Sequence, residues 1–309
     1  MYKRKIEEVL KIWKQTPNHK PIVIKGVRQC GKTSSVMDFA KKNYRHVVYL
    51  DFREHPEYRN FFIPNLDIPS IILRISATMP DVEIEAKETC FVFDEIQDCP
   101  RARGALKYFH LDGNYDVMCT GSLLGVNGYK TKEELQDESE ASIPVGFEQI
   151  ENMYPMDFEE WLWANNIKPI HLTYLRKCFD EELPVDEAIH QRMRELLHLY
   201  AIVGGMPEAV STFLATNQIG TLLQVQRRIV DEYKSDMIKY ALPTDKSKIR
   251  ECFESIPSQL AKEYKKFQFS KIRPNARGKE FAGSIQWIED AGIIQRCYNI
   301  QATELPLDG

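Results

Sequence analysis

The chain has 309 residues, of which 28% are charged and 43% hydrophobic, and its formal net charge is −4. That length accommodates two or three small domains, each able to bury a core, and the composition is that of an ordinary globular protein. The slight negative charge excludes a global pull toward nucleic acid or anionic membrane, so any such attraction must come from a local basic patch.

The opening segment, MYKRKIEEVLKIWKQTPNHK, is basic and amphipathic but lacks the apolar run and small-residue cleavage site of a signal peptide. Ile6, Val9, Leu10 and Trp13 share one face of a helix over 2–14. Nowhere do about eighteen apolar residues run together, so no membrane-spanning helix is expected. The seven cysteines, Cys30, Cys90, Cys99, Cys119, Cys178, Cys252 and Cys297, are scattered, with no CxxC pair and no ligand-like histidine spacing. An odd, unclustered set fits a reducing compartment rather than a disulfide framework or a zinc site, and makes the cytoplasm the expected location.

Short apolar runs at 21–25, 46–51, 89–94, 115–120 and 147–153 predict strands. Helical patterns over 32–42, 69–78 and 102–109 separate the first four. Alternating strands and helices imply a parallel sheet covered on both faces. The polar, acidic stretch 129–142 reads as an exposed loop. From Phe158 onward helices dominate, over 157–164, 185–201, 207–215 and 222–240. Farther on, helical runs at 249–255, 257–263 and 276–291 precede a strand-like 292–300, the order of a winged helix-turn-helix.

Gly26-Val27-Arg28-Gln29-Cys30-Gly31-Lys32-Thr33 matches G-x-x-x-x-G-K-[ST] at every specified position, and Ser34 follows it into a helix. The two glycines let the loop bend so that consecutive N–H groups face one phosphate. Lys32 reaches the β- and γ-phosphates, the Thr33 hydroxyl can ligate Mg²⁺, and the helix opening at Lys32 adds its positive dipole end. Arg28 is open between a nucleotide contact, a contact to a neighbouring chain and simple solvation. Cys30 is open between a reactive thiol and a small filler.

Phe91-Val92-Phe93-Asp94-Glu95 is an apolar strand ending in two carboxylates. Strand C-termini border the ligand crevice of an open α/β sheet, where Asp94 can hold Mg²⁺ and Glu95 can act as general base toward water. A water-activating Glu is counterproductive in a small-molecule kinase. GTPases usually carry N-K-x-D, which this chain lacks, so ATP hydrolysis is the expected chemistry. The next strand, expected between the loop strand and the acidic strand, ends in Thr120-Gly121-Ser122. A hydroxyl there can sense the γ-phosphate or the lytic water, with Thr120 and Ser122 both open for the role. Arg101 and Arg103 read either as arginine fingers acting on another subunit or as a basic helix start.

These segments resemble the bacterial and archaeal AAA-type P-loop ATPases that carry a C-terminal domain of unknown function. The resemblance rests on IVIKGVRQCGKT, FVFDEIQDCPRARGALKYF, DVMCTGSLLG, MYPMDFEEWLWA and YAIVGGMPEAV. It continues through IVDEYKSDMIKYA, IPSQLAKEYKKFQFS and WIEDAGIIQRCYNI. It implies that Lys32, Thr33, Asp94 and Glu95 hold nucleotide, metal and water, that Thr120 to Ser122 form the sensor position, and that the molecule works as a switch. Two departures stand out. Phe147 occupies a position that is usually basic, and relatives continue past Gly309 into a nuclease-like domain, so a truncated chain without a nuclease site is expected.

The expected fold is thus α/β: a P-loop NTPase parallel sheet with helices on both faces, followed by a helical lid and a winged-helix-like segment. The expected domains are 1–160, 161–243 and 244–309. ATP and Mg²⁺ are the expected cofactors. The helical and winged-helix parts are the expected seat of a protein partner or a second copy. The cluster Lys262, Lys265, Lys266, Lys271, Arg273, Arg277 and Lys279 is read as a partner platform, with weak, sequence-independent DNA binding as its rival. A nucleotide-binding scaffold without turnover and a DNA-associated ATPase are the competing functions.

Overall fold

Five short strands run in one direction in the computed structural model, which describes residues 2–123, 146–264 and 266–298. They are β1 (Ile22–Gly26), β2 (His46–Asp51), β3 (Thr89–Asp94), β4 (Asp116–Ser122) and β5 (Gln149–Met153). Their order is β2-β3-β4-β1-β5 and every pairing is parallel. Parallel neighbours need crossovers. Between β1 and β2 lies α2 (Lys32–Asn43), between β2 and β3 lies α3 (Ile68–Thr78), and between β3 and β4 lies α4 (Pro100–Asp112). The strand ending in Ser122 lies between the loop strand and the acidic strand, as expected. The acidic stretch 129–142 lies outside the described residues.

Burial explains why these runs became strands. All six residues of β3 are buried, the mark of a strand covered on both faces. Phe93 is its hub, with ring centroids 5.8 Å from Phe52, 5.5 Å from Phe62 and 5.8 Å from Phe109. Each such ring removed from water contributes about 2–3 kcal/mol. α1 (Ile6–Gln15) buries Ile6, Leu10 and Trp13, the face its spacing predicted.

After β5 the chain is helical, with α5 (Phe158–Ala164), α6 (Pro169–Asp180), α7 (Glu187–Val203), α8 (Pro207–Thr216) and α9 (Ile219–Tyr240). Asp157 caps α5 in a capping box with Glu160. Trp161, Leu162, Leu196, Val203, Val210 and Leu222 form a core with Met156, and the Tyr200 hydroxyl donates to the Met156 carbonyl at 2.8 Å. Helix α6 was not expected. Its apolar Ile170 and Phe179 are exposed and only Cys178 is buried, so no buried stripe marks it in the sequence.

The described residues fall into two compact units, one running to Asp231 and the other starting at Glu232. The second departs from the winged pattern. The two helices expected over 249–263 are one, α10 (Lys246–Leu260), which runs through Pro257. Pro257 is exposed, so water can take up the carbonyl that its missing N–H frees. The next helix is α11 (Gly278–Asp290), whose buried Phe281, Trp287 and Ile288 belong to the core, as expected for Trp287 and Ile288. Residues 292–298 form no strand, and 299–300 lie outside the described residues. The Gln259 side chain pins the intervening segment, donating to the Gln268 carbonyl at 2.8 Å and accepting from the Gln268 N–H at 3.2 Å. No helix among the described residues is long and apolar enough to cross a membrane.

Candidate functional site

Because all strands are parallel, the ends of β1, β3 and β4 open on the same edge, where ligands of open α/β sheets bind. The loop from Gly26 to Gly31 leaves β1 there and enters α2. Gln29 (φ 60°) and Gly31 (φ 96°) are left-handed, which turns the loop back on itself; the bend expected at Gly31 is there, and the one expected at Gly26 falls on Gln29 instead. Gly26 is needed for a different reason. A Cβ there would lie 2.1 Å from the Met153 carbonyl oxygen, so the loop strand can approach β5 only without a side chain. Gly31 caps α2 with no side chain, leaving the first N–H groups of the helix open to an anion.

Lys32 is 6% exposed and donates to the carbonyls of Gly26 at 3.1 Å and Val27 at 2.8 Å. Its ammonium is therefore folded over the loop it would serve. Val27 and Cys30 are buried, Arg28 is half-buried, and Gln29 and Ser34 are exposed. The Cys30 thiol is fully buried and donates to the Met153 carbonyl at 3.5 Å, and burial pushes its pKa up. That is the environment of an inert filler rather than a reactive thiol.

Asp94 collects donors from three other elements. Thr33 Oγ1 lies 3.0 Å from both carboxylate oxygens, Tyr49 donates to Oδ2 at 2.7 Å, and the Thr120 hydroxyl donates to Oδ1. The Glu95 N–H adds a contact at 3.2 Å to Oδ1. Burial, then the bond to Asp94 and the charges of Asp94 and Asp51, push the Tyr49 pKa well above its ordinary value, so the phenol stays a donor. Thr120 is completely buried on this carboxylate. Ser122 is instead in register with Gly26, at the root of the loop.

Glu95 has φ 53°, a left-handed conformation that a side chain adopts at a cost of about 1–3 kcal/mol and that clusters at functional sites. Its Oε2 lies 2.7 Å from Arg53 Nη2 and accepts from Gln97 Nε2 at 2.5 Å. Arg53 also donates to Asp98 at 2.9 Å. Neither Tyr49 nor Arg53 was visible in the sequence. Each stands just before or after the end of β2 without a motif, and only the β2–β3 pairing of Asp51 with Asp94 brings them to the site.

Mg²⁺ takes oxygen ligands and is commonly held by one or two side chains together with phosphate oxygens and water. The Thr33 hydroxyl and the Asp94 carboxylate, already adjacent, fit that role. Among the described residues no cluster of three or more His, Cys, Asp or Glu could hold a metal alone. The donor set therefore suits an ion that arrives with phosphates.

The remaining candidates are engaged elsewhere. Arg101 donates to the carbonyls of Phe62 at 2.8 Å and Pro64 at 2.6 Å, and buried Arg103 grips Glu148 at 2.6 and 3.0 Å. Both are committed within their own chain rather than reaching outward. Phe147 precedes the start of β5, at the opposite end of the sheet from Gly26, and packs 6.0 Å from the His110 ring. A phosphate role for that position has no support here. In the basic cluster, Arg273 is paired with Glu280 and Glu251, while Lys266, Lys271, Arg277 and Lys279 are exposed; Lys265 lies outside the described residues.

Comparison with known proteins gives two family matches, an AAA domain over residues 18–162 and a domain of unknown function, DUF8612, over residues 194–307. No curated protein matches the chain. Among solved structures, AMPPCP-bound DnaA from Aquifex aeolicus is similar at 12% identity and a TM-score of 0.33, over 93% of this chain and 87% of that one. The Aeropyrum pernix Orc1 protein in complex with DNA is similar at 13% identity and a TM-score of 0.34, over 94% and 82%. With their phosphate loop and acidic strand end, residues 18–162 form an AAA-type P-loop domain, and residues 194–307 match a domain of unknown function.

Proposed function

We propose that this chain binds ATP with Mg²⁺, hydrolyses it, and uses the cycle as a nucleotide-dependent switch. One observation carries the reading: Thr33, at the start of the helix behind the phosphate loop, and Asp94, at the end of a strand two positions away in the sheet, meet at 3.0 Å. The N–H groups of Gly26 to Ser34 cradle the phosphates and Lys32 supplies positive charge to them. Mg²⁺ held by Thr33 and Asp94 would offset phosphate charge. Glu95 takes the proton of the attacking water as its oxygen bonds the γ-phosphorus. The bridging bond to that phosphorus breaks, and ADP leaves with the bridging oxygen. Of the two hydroxyls, Ser122 is the better placed sensor, because it stands in register with Gly26 at the root of the loop.

We read the domains as an ATP-binding part over 1–160, a helical part over 161–243 and a third part over 244–309. The last two are the proposed platform for a protein partner or a second copy, and DNA binding is proposed to be weak. A reducing, cytoplasmic setting belongs to the same proposal. Its support is that all seven cysteines are free and six are buried.

The test is ATP turnover measured with and without Mg²⁺, with duplex DNA, and across protein concentration. Mg²⁺-dependent phosphate release that DNA leaves unchanged is expected. ATP binding without release would leave the scaffold reading, and absence of calorimetric ATP binding would end the proposal.

A further inference from the structure

The segment just ahead of α1 reaches the phosphate loop. Arg4, 4% exposed, stands just ahead of α1 and donates from Nη1 to the Cys30 carbonyl at 2.7 Å and from Nη2 to the Tyr154 carbonyl at 2.7 Å. Its Nε is 3.1 Å from Glu160 Oε1, an ion pair in which both side chains are almost wholly buried. Glu160 is fixed in turn. Its Oε1 also accepts the Lys5 N–H at 2.6 Å, and its Oε2 accepts the Asp157 N–H at 3.1 Å. One guanidinium therefore fastens the N-terminal segment, the phosphate loop, the exit of β5 and the start of α5.

From this geometry we infer that Arg4 is a positioning residue for phosphate binding, acting through the Cys30–Gly31 peptide. In a trans peptide the carbonyl and the following N–H point in opposite directions. Holding the Cys30 oxygen outward therefore holds the Gly31 N–H inward, toward the position of the phosphates. That peptide needs an anchor, because a glycine on its C-terminal side resists rotation of the plane less than any other residue. Arg4 Nη1 would lie 3.3 Å from a Cβ at Gly31, so the anchor sits directly behind the turn. Planarity matters too: the fork of an arginine spans two carbonyls and a carboxylate at once, whereas a lysine ammonium is a point charge on a flexible stem.

The inference rests on the ATP reading above, and its test separates the two. Arg4→Lys keeps a cation opposite Glu160 but cannot hold both carbonyls. It is expected to melt within a few degrees of wild type, to bind Mg·ATP at least tenfold more weakly, and to keep kcat within about twofold once saturated. Equal affinity in a folded Arg4→Lys protein, while Lys32→Ala loses binding, would overturn the Arg4 inference and leave the ATP reading intact. A wild-type protein that binds no nucleotide would overturn both. If Arg4→Lys does not fold, the pair Arg4→Gln with Glu160→Gln removes both charges and strands no buried carboxylate. The same tenfold loss is expected there, and unchanged affinity counts against the inference.

Discussion

Arg53 holds Glu95: Nη2 of the first lies 2.7 Å from Oε2 of the second, forty-two residues along the chain. A carboxylate in an ion pair, with Gln97 on the same oxygen, has one oxygen left for water. Glu95→Gln keeps shape and hydrogen bonding but removes the base, so Mg·ATP affinity should stay within about twofold while kcat falls at least tenfold. Arg53→Ala frees the carboxylate, and basal kcat is expected to rise severalfold at unchanged affinity. Steady-state phosphate release together with calorimetry reads both variants. Unchanged turnover in Glu95→Gln would assign the water to another group.

Lys32→Ala tests binding rather than chemistry. The ammonium touches only loop carbonyls, so its loss should leave the sheet intact while ATP affinity drops at least tenfold. Lys32 is nevertheless buried, which the motif does not convey. A melting shift of a few degrees is therefore expected alongside the lost binding. Calorimetric titration of the folded variant decides it, and wild-type affinity would remove the loop from the binding site.

A third prediction concerns the opposite end of the sheet. His19 Nε2 lies 3.0 Å from Asp116 Oδ1 and the Tyr44 hydroxyl donates to Asp116 Oδ2 at 2.5 Å, with Lys14 above the Tyr44 ring at 3.6 Å. The Asp116 bond raises the His19 pKa against burial. Burial alone would raise Asp116, but the bonds from His19 and Tyr44 and the charges of His19 and Lys14 bring it below its ordinary value. A raised histidine pKa stabilises fully below its unfolded value near 6.5 and loses that contribution as pH rises through the folded value. A lowered aspartate pKa stabilises above about 3.9 and is lost as pH falls. Between those limits the pair contributes most. Melting temperature should therefore fall by about 2 °C from pH 6 to pH 8.5 in wild type beyond any fall in His19→Gln. Parallel melting curves across that range would show that the pair is inert.

Any DNA binding should be weak and steeply salt-dependent. The exposed Lys266, Lys271 and Lys279 belong to a chain with net charge −4, so contacts can only be local and to phosphate. Replacing all three with Ala should flatten the salt slope by up to about three units. Fluorescence anisotropy at two salt concentrations measures it. Tight binding that survives the triple substitution would mean another surface is responsible.

Legibility in the sequence tracked how local each cause was. β2 and β3 were readable to the residue because unbroken apolar runs between turns have one easy explanation. The meeting of Thr33 with Asp94 was readable because the loop motif places the first behind β1, the second ends an apolar strand, and parallel strands open on one edge. Arg4, Tyr49 and Arg53 were not, since each reaches the site across the fold and no spacing rule records it. Helix α6 escaped because Ile170 and Phe179 are exposed and only Cys178 is fully buried, and Pro257 misled because a helix can keep a proline on an exposed face.

The crowding on Asp94 has a consequence for how the site changes hands. Two carboxylate oxygens offer about four lone-pair positions, and Thr33, Tyr49, Thr120 and the Glu95 N–H already address them. A divalent cation bound directly to Asp94 would have to displace one of these donors. The hydroxyls are rooted in different elements: Tyr49 in β2, Thr120 in β4, Thr33 in α2. Occupancy of a single oxygen would thus loosen one of three pieces of secondary structure, and the partly exposed phenol of Tyr49 is the natural place to watch it happen.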